Sequence, residues 1–174
     1  MRTTPGTLPL DAGTLRLSMT VFLVRHADAK SRANWPDDDE LRPLSKKGEA
    51  QAFGLVARLD GTHVKRILSS PAVRCTNTVE PLAAEHGVKV ERTEVLREGA
   101  DCVRAYELLR RLSTEKGDSV LCTHGDVVPE LLRIASRDGL DFQDEPRWPK
   151  GSMWAIESDG HDLTRARYLA PPDQ

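Results

Sequence analysis

The sequence lacks the features that mark several common classes of protein. Its three cysteines, Cys75, Cys102 and Cys122, are widely spaced, odd in number and outside any CxxC pair. This spacing supports neither a disulfide framework nor a cysteine zinc site, and it favours a reducing cytoplasm. No apolar run reaches the length of a transmembrane helix. With 25 Lys and Arg against 27 Asp and Glu, the chain also lacks the basic excess of a nucleic-acid-binding protein. We therefore expect a cytoplasmic protein whose partners include neither a membrane nor a nucleic acid polymer.

Motifs for nucleotide binding and cysteine chemistry are absent as well. There is no Gly-rich P-loop and no dinucleotide fingerprint. A cysteine phosphatase needs an arginine six residues after its cysteine, and the residues at that spacing here are Pro81, Leu108 and Val128. Any phosphate chemistry must therefore come from other side chains.

Helical and strand patterns alternate along the chain, and its 174 residues suffice for one domain with a buried core. The predicted strands are 21–24, 66–69, 88–91, 119–122, 152–157 and 165–168. The predicted helices are 45–60, 70–86, 101–116 and 127–137, with Ser70 as the cap of the second and a kink or break at Pro81. This order predicts an α/β three-layer sandwich with a mostly parallel central sheet and helices on both faces. Residues 1–19 are interpreted as a flexible extension and 20–174 as the domain.

Cationic side chains follow three of the predicted strands. Arg25 and His26 follow the first strand, Arg74 lies shortly after the second, and His124 follows the fourth. In open α/β sheets, ligands bind at the edge where such strands end. Taken singly, Arg74 fits a surface position on an amphipathic helix, and His124 fits a structural histidine. Their repetition at strand ends predicts a phosphate site built around histidine.

The pair Arg25-His26 carries most of this prediction. In an apolar core a guanidinium beside an imidazole would need a partner, whereas a phosphate suits both groups. A neutral imidazole nitrogen can attack phosphorus, and the charge of Arg25 lowers the pKa of His26 by disfavouring its cationic form. His26 and His124 could instead ligate a metal, but two arginines beside a divalent cation are electrostatically unfavourable. We therefore expect neither a metal nor a cofactor.

Four segments in this order resemble the histidine phosphatase superfamily, which includes the cofactor-dependent phosphoglycerate mutases. The segments are LVRHA at 23–27, RPLSKKGEAQA at 42–52, SSPAVR at 69–74 and CTHG at 122–125. The resemblance extends from about residue 20 to residue 168, with Ala27 where the family most often has glycine. The compact size and the Arg-Pro-Leu segment look like the SixA-type phosphohistidine phosphatases. Other segments look like the phosphatase-like domain of mycobacterial MutT-type proteins, at 74–75, 80–85, 127–129 and 150–154.

The resemblance implies a phosphoglycerate mutase-like fold and a metal-independent phosphohydrolase. His26 would accept the phosphoryl group as phosphohistidine, and Arg25, Arg74 and His124 would bind its oxygens and stabilise the transition state. The candidate general acid is Glu98, which lies where larger members of the family place an acidic residue but which also fits a solvated loop carboxylate. Asp28 is the second candidate, and no acid is the third possibility, since SixA-type proteins manage without one. The further substrate-binding candidates are Arg32, Ser31, Asp28 and Gly125. The acidic run 37–40 is interpreted as a solvated loop, with selection of a basic protein surface as the alternative.

Two questions stay open from the sequence. The substrate is either a phosphohistidine protein or a small phosphorylated metabolite or nucleotide; a mutase is disfavoured because the chain has little room for long insertions. The alternative function is a non-catalytic module that keeps the phosphate pocket for binding or regulation.

Overall fold

The computed structural model describes residues 19–172 of the chain. The extension predicted over residues 1–19 lies outside the described part except for Met19, which begins the first strand. Over residues 19–172, no helix is both long and apolar enough to cross a membrane.

Seven strands of the described chain form one sheet. They are β1 (Met19–Arg25), β2 (Val64–Ser69), β3 (Val90–Arg92), β4 (Asp118–Thr123), β5 (Asp141–Phe142), β6 (Met153–Ser158) and β7 (Leu163–Leu169). Their order across the sheet is β3-β2-β4-β1-β6-β7-β5. Strands β3, β2, β4 and β1 pair in parallel, while β6 runs antiparallel to both β1 and β7. The mostly parallel sheet predicted from the sequence is confirmed.

Four α-helices cover the two faces of this sheet. They are α1 (Lys46–Arg58), α2 (Val73–His86), α3 (Cys102–Leu112) and α4 (Val127–Arg137). Side chains alternate between the faces of a strand, so Phe22 and Val24 of β1 pack with α1 and α2, whereas Val21 and Leu23 pack with α3 and α4. Burial on both faces explains why β1 reads as a continuous apolar run. The three-layer α/β fold is thereby confirmed.

Helix α2 departs from its prediction at both Ser70 and Pro81. The helix begins at Val73 with Ala72 as its cap, and it continues through Pro81 without being split. The proline removes one helical hydrogen bond, but Val79 and Leu82 are fully buried in the core and hold the helix against the sheet. Ser70 is not the cap; its hydroxyl accepts from the Ala72 N–H at 3.4 Å and also hydrogen bonds to the His124 side chain at 2.8 Å.

The register of the central strands aligns their carboxyl ends. Arg25 lies opposite Thr123 in the β1–β4 pair, and Ser69 lies opposite Cys122 in the β2–β4 pair. The hydrogen bond from the His26 N–H to the Thr123 carbonyl, 2.9 Å long, extends this alignment past the end of β1. The loops that leave β1, β2 and β4 therefore begin side by side.

Candidate active site

The four principal side chains named from the sequence meet at this edge of the sheet. The rings of His26 and His124 lie edge to face, with centroids 5.4 Å apart. Nη2 of Arg74 is 3.4 Å from Nδ1 of His124. Arg25 passes so close to Gly125 that a Cβ there would lie 2.7 Å from the guanidinium carbon, which explains the need for glycine. A cavity of about 500 Å³ opens here, with Arg25, His26 and Gly125 in its wall.

The surroundings of His26 fix the position of its proton. Its Nδ1 lies 2.8 Å from the Ala27 carbonyl, which can only accept, so Nδ1 carries the hydrogen and Nε2 keeps its lone pair. The Ala27 N–H in turn donates to the Thr78 hydroxyl at 2.9 Å, which anchors the turn. The pKa of His26 is lowered to about 3, mainly by burial; the neighbouring His124, Arg74 and Arg25 also lower it, against the opposing effect of the Ala27 hydrogen bond. Arg25 thus acts in the predicted direction, but burial is the larger cause.

Acid is expected to destabilise the fold through His26. Because its folded pKa, about 3, lies below the ordinary 6.5, the unfolded chain binds the proton first as the pH falls. The effect is absent above about pH 6.5 and costs about 2–3 kcal/mol of unfolding free energy by pH 4.5. Urea unfolding of the wild type and of His26→Ala at several pH values between 7 and 4.5 measures this loss of unfolding free energy. The variant should lose less unfolding free energy than the wild type over this range. Equal losses in the two proteins would contradict this assignment.

The two arginines carry hydrogen-bond donors that no described residue satisfies. Arg25 donates through Nη1 to the Trp148 carbonyl at 2.8 Å, and Arg74 donates through Nη1 to the Asp39 carbonyl at 2.7 Å. The Nε atoms of both arginines are buried and find no partner among residues 19–172. Leaving a buried donor unpaired is costly. The oxygens of a bound anion would supply the missing acceptors.

His124 is buried and held by two side chains that the sequence analysis did not assign to the site. Its Nε2 lies 2.8 Å from the Ser70 hydroxyl and 3.5 Å from the Cys75 sulfur. Ser70 was predicted as a helix cap, and the Ser-Ser-Pro segment was the only signal that could have marked it. These contacts orient the ring towards Arg74 and His26.

Of the two candidate acids, only Glu98 reaches the arginines. Glu98, Arg32 and Ser31 all contribute to the cavity wall. One carboxylate oxygen of Glu98 accepts from Arg32 Nη2 at 3.0 Å and from Arg74 Nη2 at 3.1 Å. Glu98 therefore lies at the cavity wall, in contact with the guanidinium of Arg74.

Asp28 is placed elsewhere. Its carboxylate accepts from the Ser45 hydroxyl at 2.7 Å and pairs with the Lys150 ammonium at 3.0 Å, and it does not line the cavity. Burial acts to raise the pKa of Asp28, but the hydrogen bonds from Ser45 and Lys150 lower it overall. Because Ser45 and Lys150 hold it outside the cavity wall, Asp28 suits neither the acid role nor direct substrate binding.

Asp39 is the main site residue that the sequence missed. The acidic run was interpreted as a solvated loop, and this is wrong for Asp39, which bridges three arginines. It accepts from Arg32 Nε at 3.0 Å and from Arg42 Nε at 2.8 Å, and it pairs with Arg74 Nη2 at 3.2 Å. Burial opposes ionisation, but the hydrogen bonds from Arg42 and Arg32 hold the pKa of Asp39 at about 2. Four adjacent acids gave no sign of which one would turn inwards.

A second cavity of the described chain is larger but offers less for an anion. A larger depression of about 800 Å³ lies between α1 and α2, and its wall includes Asp60 and Glu85 but no lysine or arginine. Within residues 19–172, no group of three or more His, Cys, Asp or Glu side chains is arranged to hold a metal ion.

A mostly parallel sheet with two imidazoles and two guanidiniums at its carboxyl edge defines a protein of the α/β class with a cationic site that suits an anion. Residues 21–102 match the protein family described as "Histidine phosphatase superfamily (branch 1)". The 8-oxo-(d)GTP phosphatase of Mycolicibacterium smegmatis is 35% identical over 158 residues, which are 89% of this chain and 49% of that protein. The chain is therefore similar to members of the histidine phosphatase superfamily, and it spans about half the length of the curated relatives it matches.

Solved structures share the fold. The protein histidine phosphatase SixA complexed with tungstate superposes with a TM-score of 0.72 at 22% identity, covering 88% of this chain and 97% of that one. Phosphoserine phosphatase from Entamoeba histolytica, in complex with 3-phosphoglyceric acid, gives a TM-score of 0.66 at 13% identity, covering 90% and 98%. At these identities the likeness establishes the architecture alone.

Proposed function

We propose that the chain is a metal-independent phosphohydrolase that works through a phosphohistidine intermediate on His26. The observation that carries this proposal is the state of that imidazole: it is buried and neutral, and its Nε2 lone pair is left free because Nδ1 donates to the Ala27 carbonyl. Arg25 and Arg74, each with an unpaired Nε, supply positive charge beside it. Such charge stabilises a transferring phosphoryl group without a metal ion.

The proposed reaction has two steps. Nε2 of His26 attacks phosphorus, the bond from phosphorus to the leaving oxygen breaks, and Glu98, which enters this step in its protonated form, delivers its proton to that oxygen. Water then attacks the phosphohistidine and gives a proton to Glu98, so that inorganic phosphate leaves and the imidazole is neutral again. Arg25, Arg74 and His124 hold the phosphoryl oxygens in both steps. Arg32 and Ser31, in the cavity wall, would contact the rest of the substrate.

Among substrates, a nucleotide or similar small phosphorylated molecule is the first candidate. The relative of 35% identity is named for action on a nucleotide. Because the chain corresponds to about half of that protein, the name supports the class and no single nucleotide. A phosphohistidine protein is the second candidate, favoured by the open cavity and by the fold shared with SixA.

All three cysteines are free, which supports a cytoplasmic location.

Trapping the intermediate tests the proposal. An aryl phosphate carrying labelled phosphorus should transfer label to the wild-type protein in the presence of a chelator, and acid quenching should release the label because phosphohistidine is acid-labile. Peptide mapping after alkaline quenching should find the label on His26, and His26→Ala should take up none. Turnover without label on His26 would refute the mechanism, and binding without label or turnover would favour the non-catalytic module.

Glu98→Gln is expected to slow hydrolysis of an alkyl phosphate about 10²-fold, while phosphohistidine hydrolysis changes much less. The alkoxide is a poor leaving group and needs the proton, whereas the imidazole of phosphohistidine leaves with less help. Steady-state rates on both substrates measure the difference. Glu94→Gln is the matched control, since Glu94 lies in the same loop, is well exposed and pairs with Arg97. An equal slowing on the two substrates would remove Glu98 from the role of leaving-group acid.

A further inference from the structure

Two carboxylates cover the guanidinium of Arg74. Nη2 of Arg74 lies 3.2 Å from a carboxylate oxygen of Asp39 and 3.1 Å from one of Glu98. The side chain of Arg74 is only 2% exposed, whereas those of Asp39 and Glu98 are 36% and 46% exposed. The carboxylates therefore reach Arg74 from the solvent side, which is also the side from which a substrate arrives.

Asp39 is fixed in this position by several contacts. Its carboxylate also pairs with Arg32 and Arg42, and its backbone carbonyl accepts a second hydrogen bond from Arg74. The next residue, Glu40, forms an ion pair with Arg97, the residue before Glu98. The loops that contain Asp39 and Glu98 are thus joined above Arg74.

We propose that Asp39 is a positioning residue that serves as the internal counter-anion of Arg74, and that a phosphoryl group takes over this place when it binds. The inference rests on the proposed function in that it assigns Arg74 to the phosphate. A buried guanidinium needs a compensating negative charge, and Asp39 provides one without blocking the unpaired Nε. Asp39 therefore makes anion binding weaker than the arginines alone would allow, most of all for groups that carry two negative charges.

Removing only the charge of Asp39 gives a clear expectation. Asparagine has nearly the same shape, and its one side-chain oxygen can still accept from Arg32 Nε and Arg42 Nε, while the hydrogen bond from Arg32 Nη2 is lost. The variant loses the repulsion between the negative charge of Asp39 and a bound phosphate dianion, about 6 Å away in a position open to water. Losing this repulsion corresponds to about a tenfold gain in affinity for phosphate. Because Asp39 is ionised throughout the neutral range, with a pKa of about 2, the gain should be similar at pH 6 and pH 8 relative to the wild type.

Calorimetric titration with inorganic phosphate tests the proposal. Asp39→Asn should lower the Kd for phosphate about tenfold, and the KM for an aryl phosphate should fall in parallel. Asp37→Asn is the matched control, because Asp37 is exposed on the same loop and forms no ion pair within the described part of the chain; its Kd should stay near the wild-type value. Asp39→Ser, a second way to remove the charge, should also tighten binding.

An unchanged or weaker affinity in both Asp39 variants would overturn the proposal, as would a failure of the wild type and the variants alike to bind phosphate. The titration does not depend on turnover. If the Asp39 variants bind phosphate more tightly but no label reaches His26, the hydrolytic function fails and the role of Asp39 as counter-anion stands.

Discussion

Replacing His26 by alanine is expected to lower kcat/KM for an aryl phosphate by at least about 10³-fold, because the atom that accepts the phosphoryl group is removed. The arginines would still attract the substrate, but water would have to attack phosphorus directly. Steady-state kinetics at substrate concentrations around KM measure the loss.

Phosphate binding separates this chemical effect from a folding defect. Arg25 and Arg74 remain in His26→Ala, so its affinity for inorganic phosphate should stay within about tenfold of the wild type, since each remaining guanidinium keeps its charge. His161→Ala, an exposed substitution in the β6–β7 connection, should retain full activity. A His26→Ala protein that binds phosphate and still turns over at the wild-type rate would exclude His26 as the nucleophile.

The sequence was sufficient to predict which strand ends would meet, because that follows from local patterns and one topological rule. A buried parallel strand is a short apolar run, and successive parallel strands present their carboxyl ends at one edge. Arg25, His26 and His124 lie within two residues of strand ends, so their convergence needed no knowledge of the loops. Arg74 was predicted with them because it follows β2 through a short turn.

The contacts that the sequence did not reveal all depend on where a loop or side chain turns. Asp39 and its acidic neighbours look alike in sequence, and only the buried Arg74 and Arg42 distinguish Asp39 from them. Asp28 is close to the nucleophile in sequence but is drawn away by Ser45 and Lys150. Ser70 carried a local capping signal, which lost to a tertiary hydrogen bond. Each outcome was decided by a partner distant along the chain, and such partners leave no periodic pattern.

Replacing Arg74 is expected to have the second largest effect. Arg74→Ala should lower kcat/KM about 10²–10³-fold, the range for removing one preorganised donor from a developing charge. Arg74→Lys keeps the positive charge but loses the planar fork, so it should recover part of the phosphate affinity and little of the rate. Arg32→Ala is the comparison variant: Arg32 contacts the same two carboxylates, Asp39 and Glu98, but its side chain is 61% exposed and is proposed to contact only the rest of the substrate.

Kinetics and phosphate titration of the three arginine variants, with urea unfolding of each, distinguish a role in the site from a structural one. Asp39 and Glu98 are more than one-third exposed and keep Arg32 as a partner. When Arg74 is lost, water and Arg32 can therefore still stabilise the negative charges of these two carboxylates. Arg74→Ala should therefore stay folded while its affinity for phosphate falls, and Arg32→Ala should lose less than about tenfold in kcat/KM because its charge is already solvated. If Arg32→Ala lost as much activity as Arg74→Ala, the solvent-facing ion pairs would be the source of the effect, and Arg74 would have no special place beside His26.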